Sequence, residues 1–237
     1  MRYSEMISHL KTDFPKVQYW AKKLLPKVVK EFCKEYKSPL CKVVLYNMPE
    51  SRNEFIISYY AENNYEKMRP TVMSGAIFWI DDKKRYVLTY QMSKYRHKPE
   101  HEYVDTPLLY VFTSHFIKRY NERFLKDASL SANDIIGRFL CRNKWFTPIE
   151  INEEINRNIE NYDPNTSIGY KVRDGLCFTC YGFEGELSDD KNTSNDRVDT
   201  ICFVFTTFIS AEELKSGQIE AIDLEDAKAW ERYFKTI

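Results

Sequence analysis

Cys41-Lys42-Val43-Val44-Leu45-Tyr46 and Glu54-Phe55-Ile56-Ile57-Ser58-Tyr59-Tyr60 are two runs rich in β-branched and aromatic residues, separated by a polar segment that carries Pro49. Such residues suit a pleated, partly buried surface, and the polar link between the runs predicts a hairpin. Val72 to Ile80 and Arg85 to Gln91 repeat the pattern, with Asp81-Asp82-Lys83-Lys84 as the turn of a second hairpin. Consecutive hairpins imply an antiparallel-rich, twisted sheet.

Working outward, Met6, Leu10, Val17, Trp20, Leu24, Val28 and Phe32 recur at spacings near three and four between Tyr3 and Tyr36, which predicts an amphipathic helical region. Pro15 and Pro26 are expected to divide it into separate helices, and Pro39 closes it. Downstream, the polar stretch Ser93 to Glu102 precedes an apolar run, Thr106 to Phe112, that feeds a helix over Ser114 to Leu125. A second helix begins after Ser129 or Ser131. Ile135, Ile136, Phe139 and Leu140 lie on one side of it, and Arg138, Arg142 and Lys144 lie near its C-terminus, where cations suit the helix dipole.

Ile149 to Ile159 predicts a further short helix before the turn at Asp163-Pro164-Asn165. Gly169 to Phe183 and Thr200 to Ile209 read as late strands, with the polar segment Ser188 to Asp199 as the loop between them. Ser210-Ala211-Glu212-Glu213 is a helix start, and Leu224 to Phe234 is a C-terminal helix with Ala227, Trp230 and Phe234 on a shared face. The expected class is α+β: N-terminal helices, a sheet built from hairpins, a central helix pair and a C-terminal helix. Residues 1–237 are read as a single unit, with 1–104 and 105–237 as a subdivision the length also allows.

Of the 237 residues 43% are hydrophobic and 15% aromatic, enough for a sizeable core, while the 7 glycines and 9 prolines are too few for a turn-dense all-β design. Lys+Arg and Asp+Glu balance at 35 each, so no global field draws the chain to nucleic acid or to an anionic membrane. The first residues lack a signal-peptide pattern and no apolar run approaches the roughly 20 residues of a membrane span, so a cytoplasmic location without a membrane partner is expected. The cysteines, at 33, 41, 141, 177, 180 and 202, fall mostly in apolar segments and read as reduced, largely buried thiols.

Several candidate motifs resolve to ordinary roles. Cys177-Phe178-Thr179-Cys180 lacks a second matching pair, and a strand would send the two sulfurs to opposite faces, so no zinc site is expected. His97 and His101 lie among Lys94, Arg96 and Lys98, but Pro99 argues against a helix-borne metal pair; the segment reads as a solvated basic loop with RNA contact as the alternative. Tyr86, Tyr90 and Tyr95 lie near basic side chains, a pairing that fits sheet packing before base stacking. Walker A, G-x-G-x-x-G, G-x-S-x-G and H-E-x-x-H patterns are missing, and no cofactor or metal is called for.

The Ser114 to Leu125 helix is the one stretch where reactive groups gather. At about 100° per residue, Phe116, Ile117, Tyr120 and Phe124 form one face while His115, Arg119 and Glu122 fall together on the other, flanked by Lys118 and Arg123. A base with a pKa near neutrality can activate a 2′-hydroxyl, and guanidinium groups can hold a phosphate, so the set suits metal-independent RNA cleavage. His115 or Glu122 would be the base, Arg119 would stabilise charge, and Arg123 and Lys118 would bind substrate. The plain alternative is a solvated face with Arg119 and Glu122 paired.

His115-x-x-x-Arg119-x-x-Glu122-Arg123, followed by Leu130-Ser131-Ala132-Asn133-Asp134-Ile135-Ile136, resembles a bacterial toxin-like family of the RelE/barnase/colicin-type ribonuclease superfamily over about 25 residues. Lys126-Asp127-Ala128 is an insertion relative to that pattern, and more than 100 residues precede the motif. The resemblance implies a helix packed on the late strands, its polar stripe facing a groove near Thr206, Thr207 and Ser210, and a toxin-like ribonuclease acting on RNA. The competing expectation is a non-catalytic interaction or accessory protein of phage or mobile-element origin, with a protein partner.

Overall fold

The run from Phe55 to Tyr60 is continuously apolar, apart from Ser58, because both faces of its strand are covered. Phe55, Ile57 and Tyr59 pack into one layer of core and Ile56 into another, the burial that produces unbroken rather than alternating hydrophobicity. A computed structural model describes residues 2–80, 82–95, 104–156, 168–186 and 197–235. In chain order these form α1 (Tyr3–Phe32), β1 (Leu40–Asn47), β2 (Glu54–Ala61), a 3-10 turn (Tyr65–Met68), β3 (Thr71–Ile80), β4 (Lys83–Tyr95) and β5 (Val104–Phe112). Next come α2 (Ser114–Tyr120), a π turn (Asn121–Leu125), α3 (Ala132–Arg142), β6 (Thr147–Glu150) and α4 (Glu153–Asn156). The chain continues through β7 (Ile168–Val172), β8 (Gly175–Glu186), β9 (Arg197–Ser210), a 3-10 turn (Ala211–Glu213) and α5 (Ser216–Lys235).

The class is α+β. Among the described residues one nine-stranded sheet runs β1-β2-β3-β4-β5-β9-β8-β7-β6. Its pairings are antiparallel except at β5 and β9, which run parallel from Leu108 opposite Ile201 to Phe112 opposite Phe205. The chain thus lays down one meander, crosses one face through α2 and α3 to the far edge, and returns as a second meander that closes onto β5. Helix α1 packs on the opposite face, and the amide groups of Tyr3 and Ser4 donate to the Glu184 carboxylate at 2.7 and 3.0 Å, which neutralises the unpaired N–H groups of the helix start.

The sheet is curled. Between β2 and β7 lie six strand intervals, roughly 29 Å in a flat sheet at about 4.8 Å each. Yet Arg173, just past β7, donates to both oxygens of Glu62, just past β2, at 2.5 and 2.6 Å. The two meanders therefore wrap around α2 and α3, whose Phe116, Ile117, Tyr120, Ile136, Phe139 and Leu140 fill the enclosed core.

Several expectations need correction. Pro15 and Pro26 do not divide the N-terminal region: α1 is one 30-residue helix with both prolines inside it. Both prolines are exposed while Leu10, Val17, Ala21, Val28 and Phe32 are buried, so the missing backbone bonds fall on the wet side, where water satisfies carbonyls, and sheet packing holds the buried side together. Ile149 to Ile159 is not one helix: Ile149 is a strand residue of β6 paired opposite Gly169, and helix is limited to Glu153–Asn156 among the described residues. Gly169 to Phe183 is two strands, broken at Arg173-Asp174. Ser210-Ala211-Glu212-Glu213 closes a capped 3-10 turn, and α5 begins at Ser216.

Among the described side chains of α5 the buried ones are Gln218, Ile222 and Glu225, whereas Ala227 and Trp230 are exposed; the Phe234 side chain lies outside those described. The cysteines are free, but only Cys141, Cys177 and Cys202 are buried; Cys41 and Cys180 are half-buried and Cys33 is exposed. Burial pushes the Cys177 thiol pKa well up, which keeps it protonated. His97, His101, Arg96 and Lys98, the turn Asp163-Pro164-Asn165 and most of the polar segment Ser188 to Asp199 lie outside the described residues.

Candidate functional site

Helix α2 starts where Thr113 caps it, its hydroxyl accepting from the Phe116 amide at 3.0 Å. The helix is held from beneath by aromatic packing: the Phe116 ring lies 5.0 Å from that of Phe139 and 5.8 Å from that of Phe205. A π turn then continues to Leu125, and Lys126 ends the helix in the left-handed region at φ 54°.

On the outer face, Arg119 Nε donates to His115 Nε2 at 3.4 Å, and Arg119 also donates to a Glu122 oxygen at 3.1 Å. Lys118 Nζ lies 3.6 Å from the other Glu122 oxygen. The predicted set His115, Arg119, Glu122 and Lys118 is thus one connected chain of contacts. It is open to water, with the Arg119 and Glu122 side chains about two-fifths exposed and Lys118 about three-quarters exposed.

Arg123 leaves this set. One of its terminal nitrogens donates to the Phe208 carbonyl at 2.7 Å, and its Nε lies 3.8 Å from Glu213. That places its guanidinium over β9 and the turn that follows. Thr206 and Ser210 are likewise engaged locally, Thr206 with the Phe178 carbonyl at 3.2 Å and Ser210 with Glu213 at 3.2 Å.

Directly beneath, on the inner side of α2, lies a polar cluster that the sequence reading missed. Asp174, in the turn between β7 and β8, is buried, and its carboxylate accepts four hydrogen bonds. They come from Tyr120 Oη at 2.6 Å, Arg142 at 2.8 and 3.0 Å, and the Asn143 amide at 3.0 Å. Asn143 closes the loop by accepting from the Asp174 backbone amide at 3.0 Å. Arg142 extends the cluster to Tyr60 Oη at 2.8 Å and Glu62 at 3.3 Å, and its guanidinium stacks over the Phe124 ring at 4.9 Å.

Burial opposes the charge on Arg142, but Asp174 and Tyr60 outweigh it and hold the guanidinium pKa above its ordinary value. Burial first, then the Asp174 charge, pushes the Tyr120 hydroxyl pKa well up, so it remains a donor. Every charge in this cluster has a fixed partner, which makes it a clasp joining α2, α3, β2 and the β7–β8 turn. By sequence alone Arg142 is a helix-end cation. The signal available in the sequence was the adjacent pair Arg142-Asn143 at a helix end together with Arg173-Asp174-Gly175 at a strand break.

No protein-family model matches this chain, and neither a curated protein nor a solved structure matches it. Among the described residues no group of His, Cys, Asp or Glu side chains is arranged to hold a metal ion. No helix there is long and apolar enough to cross a membrane.

Proposed function

We propose that this protein works by binding a protein partner through an aromatic surface at the end of α1, in line with the interaction expectation. The observation that carries the reading is the near-complete exposure of Tyr36 (98%) and Tyr65 (94%), with Met68 exposed beside Cys33 at an Sγ to Sδ separation of 3.3 Å. Tyrosine and methionine are enriched at protein interfaces, where they supply apolar area with a polar tip. The backbone under them is fixed: buried Lys67 donates to the Glu35 carbonyl at 2.6 Å, and Ser38 donates to the Asn64 side chain at 3.2 Å. Aromatic side chains on a pinned frame lose little entropy on docking.

A photo-crosslinking residue placed at 36 or 65 in the native cell should give discrete protein adducts. The same residue at Tyr19, which is 64% exposed and lies elsewhere on α1, should not. Equal labelling from all three positions overturns the reading.

A second reading, metal-independent ribonuclease action at His115, Arg119 and Glu122, is favoured by the 3.4 Å approach of the Arg119 guanidinium to His115 Nε2. It sets a base beside a phosphate-binding cation. Against it stands exposure, because catalytic electrostatics gain most where water is excluded. Purified protein incubated with mixed RNA in EDTA should then cleave, and His115→Ala and Arg119→Ala should each abolish cleavage. Cleavage absent from all three proteins, or equal in all three, removes this reading.

A further inference from the structure

At the other end of β2, the turn from Met48 to Asn53 carries an arrangement that neither reading uses. Arg52 occupies the left-handed region at φ 60°, where a non-glycine side chain is disfavoured. It is held there by two backbone bonds across the turn, from the Arg52 amide to the Met48 carbonyl and from the Met48 amide to the Asn53 carbonyl, both 2.9 Å. Side chains lock it further. Ser51 Oγ donates to the buried Asp13 carboxylate at 2.5 Å, and Asn53 Nδ2 donates to the same oxygen at 2.8 Å. Asn53 Nδ2 also lies 3.1 Å from His9 Nδ1. With Nδ1 engaged, Nε2 is the imidazole's remaining hydrogen-bonding atom.

This turn forms one wall of a cavity of about 610 Å³ whose lining includes Asn47, Arg52, Asn53, Glu54, Phe78 and Trp79. That volume falls within the range of small-molecule sites. Trp79 is 60% exposed although its neighbours Ile77 and Phe78 are buried, so a large π face meets solvent at the mouth. Arg52 is exposed and forms no ion pair among the described residues. The Glu54 carboxylate accepts N–H groups, the Asn47 amide offers a donor and an acceptor, and Asn53, whose amide nitrogen is taken by Asp13 and His9, offers its oxygen.

From a stacking face, a free guanidinium on a rigid turn and edge-reading polar groups in one cavity, we infer that this site binds a nucleoside monophosphate. The base stacks on Trp79, its amino group donates to Glu54, and the phosphate is held by Arg52. Holding Arg52 in a disfavoured backbone region is the kind of local strain that fixed binding groups show.

The test is calorimetric titration of the full chain with adenosine 5′-monophosphate, adenosine and inorganic phosphate, using wild type, Arg52→Gly and Trp79→Ala. Glycine suits the left-handed position, so Arg52→Gly removes the guanidinium without endangering the turn. Each variant should weaken the monophosphate about tenfold, the equivalent of one charge-assisted hydrogen bond or one base stack. Adenosine should bind more weakly than the monophosphate and be indifferent to Arg52→Gly, and phosphate alone should not bind. No binding of the monophosphate at millimolar concentration overturns the inference. So does binding that ignores both substitutions, or phosphate alone binding as tightly as the nucleotide.

Discussion

Asp174→Asn isolates the clasp. The Asp174 side chain is 2% exposed and that of Arg142 15%, so the pair lies where an unpartnered charge is not rescued by water. An amide in place of the carboxylate keeps the shape and one acceptor oxygen. It turns an NH2 group toward donors, because all four bonds to Asp174 come from N–H or O–H groups. Arg142 then keeps its charge with Glu62, whose side chain is 31% exposed, as its one remaining carboxylate partner.

Removing one member of a buried pair costs about 3–5 kcal/mol, a large share of the roughly 5–15 kcal/mol that holds a domain folded. The charge-free double variant, Arg142→Met with Asp174→Asn, removes the stranded cation. It should recover part of that loss, giving a coupling of about 2–3 kcal/mol in a double-mutant cycle. Urea unfolding followed by circular dichroism, with the slope of the transition checked for constancy, measures both quantities. A loss below about 1 kcal/mol for Asp174→Asn, or additive single variants, would refute the assignment of this cluster as the element that closes the sheet.

Gly175→Ala should destabilise by about 2–4 kcal/mol in the same assay, since Gly175 sits at φ +154° and a Cβ there would overlap the Ile209 carbonyl oxygen. Tyr59→Phe removes the 2.7 Å bond from its hydroxyl to the Ala21 carbonyl, where α1 crosses the sheet, and should cost about 1 kcal/mol with little change in secondary structure. Acid titration reads the rim of the clasp. The Arg173 guanidinium, with Arg142 behind it, holds the Glu62 carboxyl below its ordinary range, so its stabilisation is complete above the unfolded value near 4.3 and is lost as pH falls through the lower folded value. Glu62→Gln should flatten the stability profile in that window by no more than about 1 kcal/mol, since the pair is partly solvated. An unchanged profile would place the acid sensitivity elsewhere.

Much of the architecture is written locally. Cys41 to Tyr46 pair with Phe55 to Tyr60 as their β-branched and aromatic composition predicts, and β3 pairs with β4 from Gly75 opposite Leu88 to Ile80 opposite Lys83, so that Lys83 and Lys84 are strand residues and not turn; α3 begins after Ser131, which caps it reciprocally with Asp134. The reading fails where distance along the chain defeats it. Local propensity treats Pro15 and Pro26 as breaks, yet α1 survives because residues far away in β2 and β3 cover its buried side. Asp174 looks like an ordinary turn residue, and its role exists only because the curled sheet brings residues 60–62, 120, 142 and 174 together. The stripe on α2 was legible because helical spacing alone generates it, and the same simplicity makes it common on solvated helices. The Trp79 cavity was not legible, since its walls come from one turn and the ends of three strands, β1, β2 and β3.

The geometry of β2 and α1 explains why two surfaces can coexist on this chain without interfering. The Arg52–Trp79 cavity lies at the Glu54 end of β2, and the Tyr36–Tyr65 surface lies just beyond Ala61 at its other end. Eight strand residues at about 3.3 Å each separate them by roughly 26 Å. Helix α1 runs the same course, with His9 and Asp13 beside the cavity and Cys33 at the aromatic surface. Because β2 is buried on both faces and Tyr59 ties it to the middle of α1, the two ends are joined by a stiff frame. Side chains at one end can therefore be replaced without disturbing the other, so loss of nucleotide binding and loss of partner cross-linking are separable observations.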